Sequence, residues 1–224
     1  NSHQKLKNSL LKHMAQQTAN FLLQVKAVKL NNDHPFTWAS GRKSPIYCDN
    51  RVTLSYPEIR TFIRQRFVEV INEHFGNCDV IAGVATGGIA QGALVAQELG
   101  KPFVYVRSEE KKHGLTNQIE GEIHEGQSVV VIEDLVSTGK SSLIAVKALR
   151  EKGCQVKGMA AIFTYGLSVA EQNFKEADVE LHTLTNYDTL IEVARCEEYI
   201  REEQMQSLAA WRVNPEKWSE EHSN

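Results

Sequence analysis

Apolar residues at Leu6, Leu10, Met14, Phe21, Leu22 and Val25 recur at helical spacing and predict a helix over 5–27. The pattern then breaks into a turn-rich stretch, DHPFTWASGRKSPIYCDNR, at 33–51. Helical spacing resumes after Ser55-Tyr56-Pro57-Glu58, a capping-box pattern with Pro57 in the first turn. Ile59, Phe62, Ile63, Phe67, Val70 and Ile71 mark the buried face of that helix. From residue 78 onward, short apolar runs alternate with helical stretches. CDVIAGV (78–84), FVYV (103–106), SVVVIED (128–134), VKGMAAIFTY (156–165) and VELHTL (179–184) read as strands. Helices are expected over 89–99, 140–152 and 168–175, and 187–210 reads as mainly helical. The tail after Trp211 is polar and is expected to be loose.

Alternating strands and helices predict an α/β fold, a mostly parallel sheet flanked by helices. The strand runs are continuously apolar, as strands buried on both faces are. In such sheets ligands bind beyond the carboxyl ends of the strands. That places the loops 85–88, 107–127 and 135–139 at the binding edge. Three units are expected: an N-terminal helix and hood at 1–55, a core at 56–195, and a helical extension and tail at 196–224.

Composition adds limits. A chain of 224 residues can bury a core without staples. A net charge of −3 and a pI near 6.3 give no sign of a broad nucleic-acid surface. No run approaches the roughly 18 apolar residues of a membrane helix, and residues 1–8 contain no signal-peptide apolar run. The four cysteines, Cys48, Cys78, Cys154 and Cys196, are scattered with no CxxC pair. A reducing, cytoplasmic location is therefore expected, with no membrane and no nucleic-acid partner. The eight histidines show no HExxH or comparable ligand spacing.

The sharpest chemical signal is VVVIEDLVSTGKSS, 129–142. A buried strand ends in Glu133 and Asp134, a short turn of Leu135 and Val136 leads to Ser137-Thr138-Gly139, and a helix follows at Lys140. A helix N-terminus offers unpaired N–H groups and partial positive charge. Ser137, Thr138 and Ser141 add hydroxyls, and Gly139 lets backbone approach a ligand, so the segment reads as a monophosphate cradle. The two acids suit ribose hydroxyls or water on a magnesium ion. The plainer alternative is that the acids end a strand and Ser137 or Thr138 caps a helix. A nucleotide P-loop fails, because its opening glycine falls on Asp134.

This segment resembles the phosphoribosyl pyrophosphate motif of type I phosphoribosyltransferases. The resemblance implies that family's parallel sheet with an N-terminal hood. It also implies phosphoribosyl pyrophosphate contacts at Glu133, Asp134, Leu135, Val136, Ser137, Thr138, Gly139, Lys140 and Ser141. Two further segments resemble the orotate phosphoribosyltransferases in particular. FTWASGRKSPIYCDNR (36–51), preceded by Lys29, implies an orotate pocket of Lys29, Tyr47 and Cys48, with Ser137 also contacting the base. By composition alone, Arg42 and Lys43 read equally well as solvated, and Phe36, Trp38 and Tyr47 as the core of a small domain. YVRSEEKKHGLTNQIEG (105–121) implies that Arg107, Lys111 and His113 contact pyrophosphate. It also implies that this loop serves a neighbouring subunit's site in a homodimer with shared active sites. Such a charge run is otherwise usually a solvated face. A weaker piece, GVATGGIAQG (83–92), assigns Thr86 and Gly87 to the diphosphate.

The sequence departs from the family pattern at three places. Ser108 and Gly87 stand where many members have lysine. The region after the fourth core strand, YGLSVAEQNF, lacks the arginine that meets the orotate carboxylate in many members. The expected reaction joins orotate to ribose 5-phosphate, with orotate and phosphoribosyl pyrophosphate as substrates. Asp134, Glu133, Lys111 and His113 are the catalytic candidates. Mg2+ is the cofactor, held mainly through phosphoribosyl pyrophosphate and water. A purine or uracil phosphoribosyltransferase would share the phosphate motif with a different hood, and a non-catalytic regulator of this fold would bind the same ligand.

Overall fold

The computed structural model describes residues 1–108 and 118–223. Lys111, Lys112, His113 and Gly114 lie outside the described residues. Helix α1 covers Ser2–Gln24. Its apolar spacing predicts burial along its length, yet Leu6 and Leu10 are exposed and burial begins at Thr18. Only the second half of α1 carries buried residues, and α1 packs on the sheet edge and a later helix.

Four short strands then build the hood: β1 (Val28–Leu30), β2 (Phe36–Thr37), β3 (Lys43–Ser44) and β4 (Ile46–Cys48). β1 pairs with β4 and β2 with β3, both antiparallel. A 3-10 turn over Asn50–Ser55 leads into α2 (Pro57–His74). Pro57 opens α2 as expected, but Tyr56 is its N-cap and no side chain caps it, so the expected capping box does not form. Pro57 lacks an N–H and has φ preset for a helix, so the start needs no side-chain cap there.

The core follows as β5 (Val80–Val84), α3 (Ile89–Leu99), β6 (Phe103–Val106), β7 (Ile119–Glu120), β8 (Ser128–Val136), α4 (Lys140–Glu151), β9 (Gln155–Thr164), α5 (Ser168–Glu176), β10 (Leu181–Asn186) and α6 (Tyr187–Cys196). The six strands run in the order β10-β9-β8-β5-β6-β7, parallel except for β7. Successive residues of a strand face opposite sides. Val130 and Ile132 therefore join α1, α2 and α3 in one cluster, while Val129 and Val131 join α4 and α5 in the other. Leu135 and Val136, expected in a turn, extend β8 instead. β9 is long enough to offer them Phe163 and Thr164 as ladder partners.

The C-terminal segment corrects the expectation of a loose tail. After a 3-10 turn at Glu202–Gln204 come α7 (Met205–Val213) and α8 (Pro215–Glu221). Trp211 and Trp218 are 1% and 2% exposed, so these short helices are anchored by two large apolar side chains. Ser219 Oγ accepts from the Lys43 N–H at 2.8 Å, and Arg42 pairs with Glu216 at 3.3 Å. The tail thus braces the hood. No helix among the described residues is long and apolar enough to cross a membrane.

Candidate active site

The β8-to-α4 junction lies at the carboxyl end of the sheet and lines a cavity of about 270 Å³. Thr86 and Gly87 form one wall, and Glu133, Asp134, Leu135, Ser137, Thr138, Gly139, Lys140 and Ser141 form the rest with Ala85 and Ser142. α4 follows Gly139, whose φ of 80° is readily adopted only by glycine, and the Lys140 N–H at its start donates to Thr138 Oγ1 at 3.4 Å. Thr138 thus takes one N–H at the helix start, as in the plainer reading, through a long bond. The other first-turn N–H groups remain available to an anion, with the Ser137, Thr138 and Ser141 hydroxyls beside them.

The two acids divide between the sheet faces. Glu133 shares its side with Val129 and Val131 and is 5% exposed. Its Oε2 accepts from Ser142 Oγ at 2.7 Å, and its Oε1 accepts from the Asp134 N–H at 2.9 Å. Burial, and then the neighbouring Asp134 charge, push the Glu133 carboxyl well above its ordinary value. Asp134 lies beside the Glu133 carboxyl and reaches the start of α3. A Cβ added at Gly87 would run into the Asp134 carboxylate. Lysine could not stand at 87 in this conformation without displacing the acid. The donors around the cavity are oxygens, the carboxylate of Asp134 and the three hydroxyls, a set that suits magnesium. Val136 is fully buried, and its carbonyl accepts from the Tyr165 N–H at 3.3 Å.

The hood reaches this centre through Asn50. Asn50 Nδ2 donates to the Asp134 carbonyl oxygen at 2.8 Å, and Cys48 Sγ donates to Asn50 Oδ1 at 3.2 Å. Burial, then Asp134 and Asp49, raise the Cys48 thiol well above its usual range. Lys29 and Tyr47 are register partners on β1 and β4, with Lys29 Nζ 6.0 Å from the Tyr47 ring centroid. Phe36 lies against Tyr47 at 5.8 Å between centroids. Trp38 instead stacks on Tyr165 at 5.6 Å and meets Trp211 edge-on, so it belongs to the core. Of the two readings of the hood, Trp38 fits the packing role, while Tyr47, 40% exposed, is open to a ligand.

Arg107 follows β6 at the same edge, with its Nη1 3.4 Å from Glu120 Oε1. It does not line the cavity. Lys111 and His113 lie outside the described residues. Sequence reasoning missed Asn50, Ser142, Tyr165 and Arg212. The first three sit inside segments singled out in the sequence, but only three-dimensional contacts bring them to this site. Arg212, from α7, stands at the loop after β9: a Cβ built on Gly166 would be 3.6 Å from its Nη1. It pairs with Asp188 at 3.4 Å.

A mostly parallel sheet with a hydroxyl-rich helix start and paired acids at its carboxyl edge fits a phosphoribosyl transferase domain, and the model of that family matches residues 55–188. The chain is 56% identical over 208 residues to an orotate phosphoribosyltransferase of Porphyromonas gingivalis, covering 93% of this chain and 99% of the relative. It also matches the crystal structure of the orotate phosphoribosyltransferase from Aeropyrum pernix (TM-score 0.69, 32% identity, 78% of this chain and 96% of that one). The UMP synthase of Leishmania donovani aligns with TM-score 0.75 and 27% identity over 90% of this chain but 42% of that longer one. The chain belongs to the orotate phosphoribosyltransferase family.

Proposed function

We infer that this chain is the enzyme that transfers ribose 5-phosphate from phosphoribosyl pyrophosphate to orotate, giving orotidine 5′-phosphate and pyrophosphate in de novo UMP synthesis. The observation that carries this reading is the hydroxyl-rich start of α4 sharing one cavity with Asp134 and Gly87, in a chain 56% identical to a relative of that name. The 5′-phosphate rests on the α4 N-terminus, on backbone from Leu135 to Lys140 and on the Ser137, Thr138 and Ser141 hydroxyls. That remote binding orients the sugar for reaction. Thr86 and Gly87 offer backbone to the diphosphate. The C1′–O bond to pyrophosphate breaks as N1 of orotate, having lost its proton to solvent, bonds to C1′. Positive charge builds on the ribose, and Asp134 faces it. Glu133 lies at the cavity wall and steadies Asp134 through its backbone N–H. Asp134 would hold a magnesium ion through water, and that ion would supply positive charge toward the leaving pyrophosphate. Arg107, Lys111 and His113 add cations there.

The base lies under the hood, between Lys29, Tyr47, Cys48 and Ser137. Lys29 and Arg212 supply positive charge for its carboxylate, Arg212 from the α7 side in place of an arginine on the loop after β9. Residues 1–55 thus recognise the base, 56–195 hold the activated sugar, and 196–224 brace the hood. The enzyme works in the cytoplasm as a homodimer with shared sites. Refolding Lys111→Ala together with Asp134→Asn would restore activity if Lys111 serves the partner's site; a dead mixture of confirmed mixed dimers would leave each site to its own chain.

The direct test is turnover with orotate, uracil, adenine and hypoxanthine in parallel. Orotate alone is expected to react, and equal use of adenine would sink the reading. Arg212→Gln is expected to raise the KM for orotate and leave phosphoribosyl pyrophosphate affinity unchanged. An unchanged orotate KM would assign the carboxylate to Lys29 and backbone groups.

A further inference from the structure

We propose that His74, Glu180 and His182 form a site for a borderline divalent cation of the zinc class, at the end of the sheet opposite the active-site cavity. His74 lies in the last turn of α2, Glu180 directly precedes β10, and His182 is the second residue of β10. The two imidazoles stack with centroids 3.6 Å apart and planes 14° from parallel. His182 Nε2 is 2.6 Å from Glu180 Oε1. One ligand atom from each of the three residues lies within 4.8 Å of the other two. Around a tetrahedral zinc ion, bonds of about 2.0–2.1 Å put ligand atoms roughly 3.3 Å apart. Because a metal lies in the plane of each imidazole it binds, the His74 ring, which is exposed, turns out of the stack to bring its nitrogen to the ion.

The scaffold beneath the cluster is firm. Phe75 is 6% exposed and meets the His182 ring edge-on at 5.5 Å. Gly158 of β9 comes so close to Phe75 and to the Glu180 carbonyl that no side chain fits there. The cluster is also remote from the chemistry. β10 runs from His182 to Asn186, which pairs with Thr164 at the carboxyl edge. At about 3.3 Å per residue that is on the order of 13 Å of strand.

The donor set decides the ion. Two imidazole nitrogens and one carboxylate oxygen suit zinc, nickel or cobalt, whereas magnesium and calcium take oxygen ligands. Three protein ligands leave a fourth position for water. On binding, the ion takes the place of the hydrogen bond between His182 and Glu180. It then ties the end of α2 to β10, the outermost strand of the sheet.

The test is calorimetric titration of metal-free protein with zinc chloride, with cobalt(II) absorption as a second readout. The expected result is about one equivalent bound with a Kd in the micromolar range, and a melting temperature raised by zinc. His74→Gln and His182→Gln each lower zinc affinity at least about tenfold and remove the thermal shift. Glu180→Gln, which keeps the side-chain shape, lowers affinity in the same direction. Unchanged zinc-free turnover of orotate shows that the variants fold. Equal zinc uptake by the protein and both histidine variants, or no uptake at about 100 µM zinc, overturns the proposal. Neither result bears on the orotate reaction.

Discussion

Asn50 Nδ2 donates a 2.8 Å hydrogen bond to the carbonyl oxygen of Asp134, joining the hood to the acid at the centre of the core. Pairing of β8 with β5 ends at Ile132, so this carbonyl lies beyond that ladder. Asn50 is 2% exposed, and its removal takes that donor from the half-buried Asp134 carbonyl. Asn50→Leu is expected to cost about 1–3 kcal/mol of stability. It should also raise the KM for orotate more than that for phosphoribosyl pyrophosphate, since the hood loses its tie to the sugar site. Urea unfolding and steady-state kinetics check both. Equal KM changes for the two substrates would confine Asn50 to stability.

Gly87 is defined by the carboxylate above it. A methyl group at this position collides with Asp134 and forces the acid from its place. Gly87→Ala is expected to lower turnover by about 10²-fold, the scale of a misplaced reacting group. Thermal melting tests whether the fold survives. A folded Gly87→Ala protein with normal turnover would show that Asp134 has room to move without loss.

Glu133 makes stability depend on pH. Its folded carboxyl holds its proton more tightly than in the unfolded chain, chiefly through burial and secondly through Asp134. The native state therefore binds more protons than the unfolded state between the ordinary glutamate range and the raised value. Stability falls as pH rises through that window and is regained below it. Glu133→Gln removes the effect and retains a partner for Ser142. The variant is expected to melt higher than the parent at about pH 8 and to lose the advantage near about pH 4. A parallel pH profile for the two proteins would contradict the assignment.

Thiol reactivity should separate the cysteines. Cys196 is exposed, whereas burial and then Asp134 and Asp49 keep the Cys48 thiol protonated. The thiolate is the reactive form. Limited alkylation with iodoacetamide near pH 7.5, mapped by mass spectrometry, is expected to label Cys196 first and Cys48 at least about tenfold more slowly. Faster labelling of Cys48 would mean that its site is open to solvent.

Much of the core was legible in the residues alone. Continuous apolar runs such as VVVI suit strands buried on both faces of a covered parallel sheet, and Glu133-Asp134 followed by Ser137-Thr138-Gly139 reads as a candidate phosphate site because its parts are adjacent in the chain. Local signals also predicted the strand breaks and the start of α4. What remained hidden depends on contacts between distant segments. Strand parity alone sends Glu133 and Asp134 to opposite faces, but only the packing of α4 and α3 made one acid buried and bonded to Ser142 and set the other over Gly87. The polar tail reads as loose until Trp211 and Trp218 find the apolar surfaces that bury them. His74 and His182 have no ligand spacing in the sequence, and they meet because the end of α2 packs beside the start of β10. Spacing along one element specifies local geometry, whereas a site assembled from several elements exists only once burial of the core has brought them together.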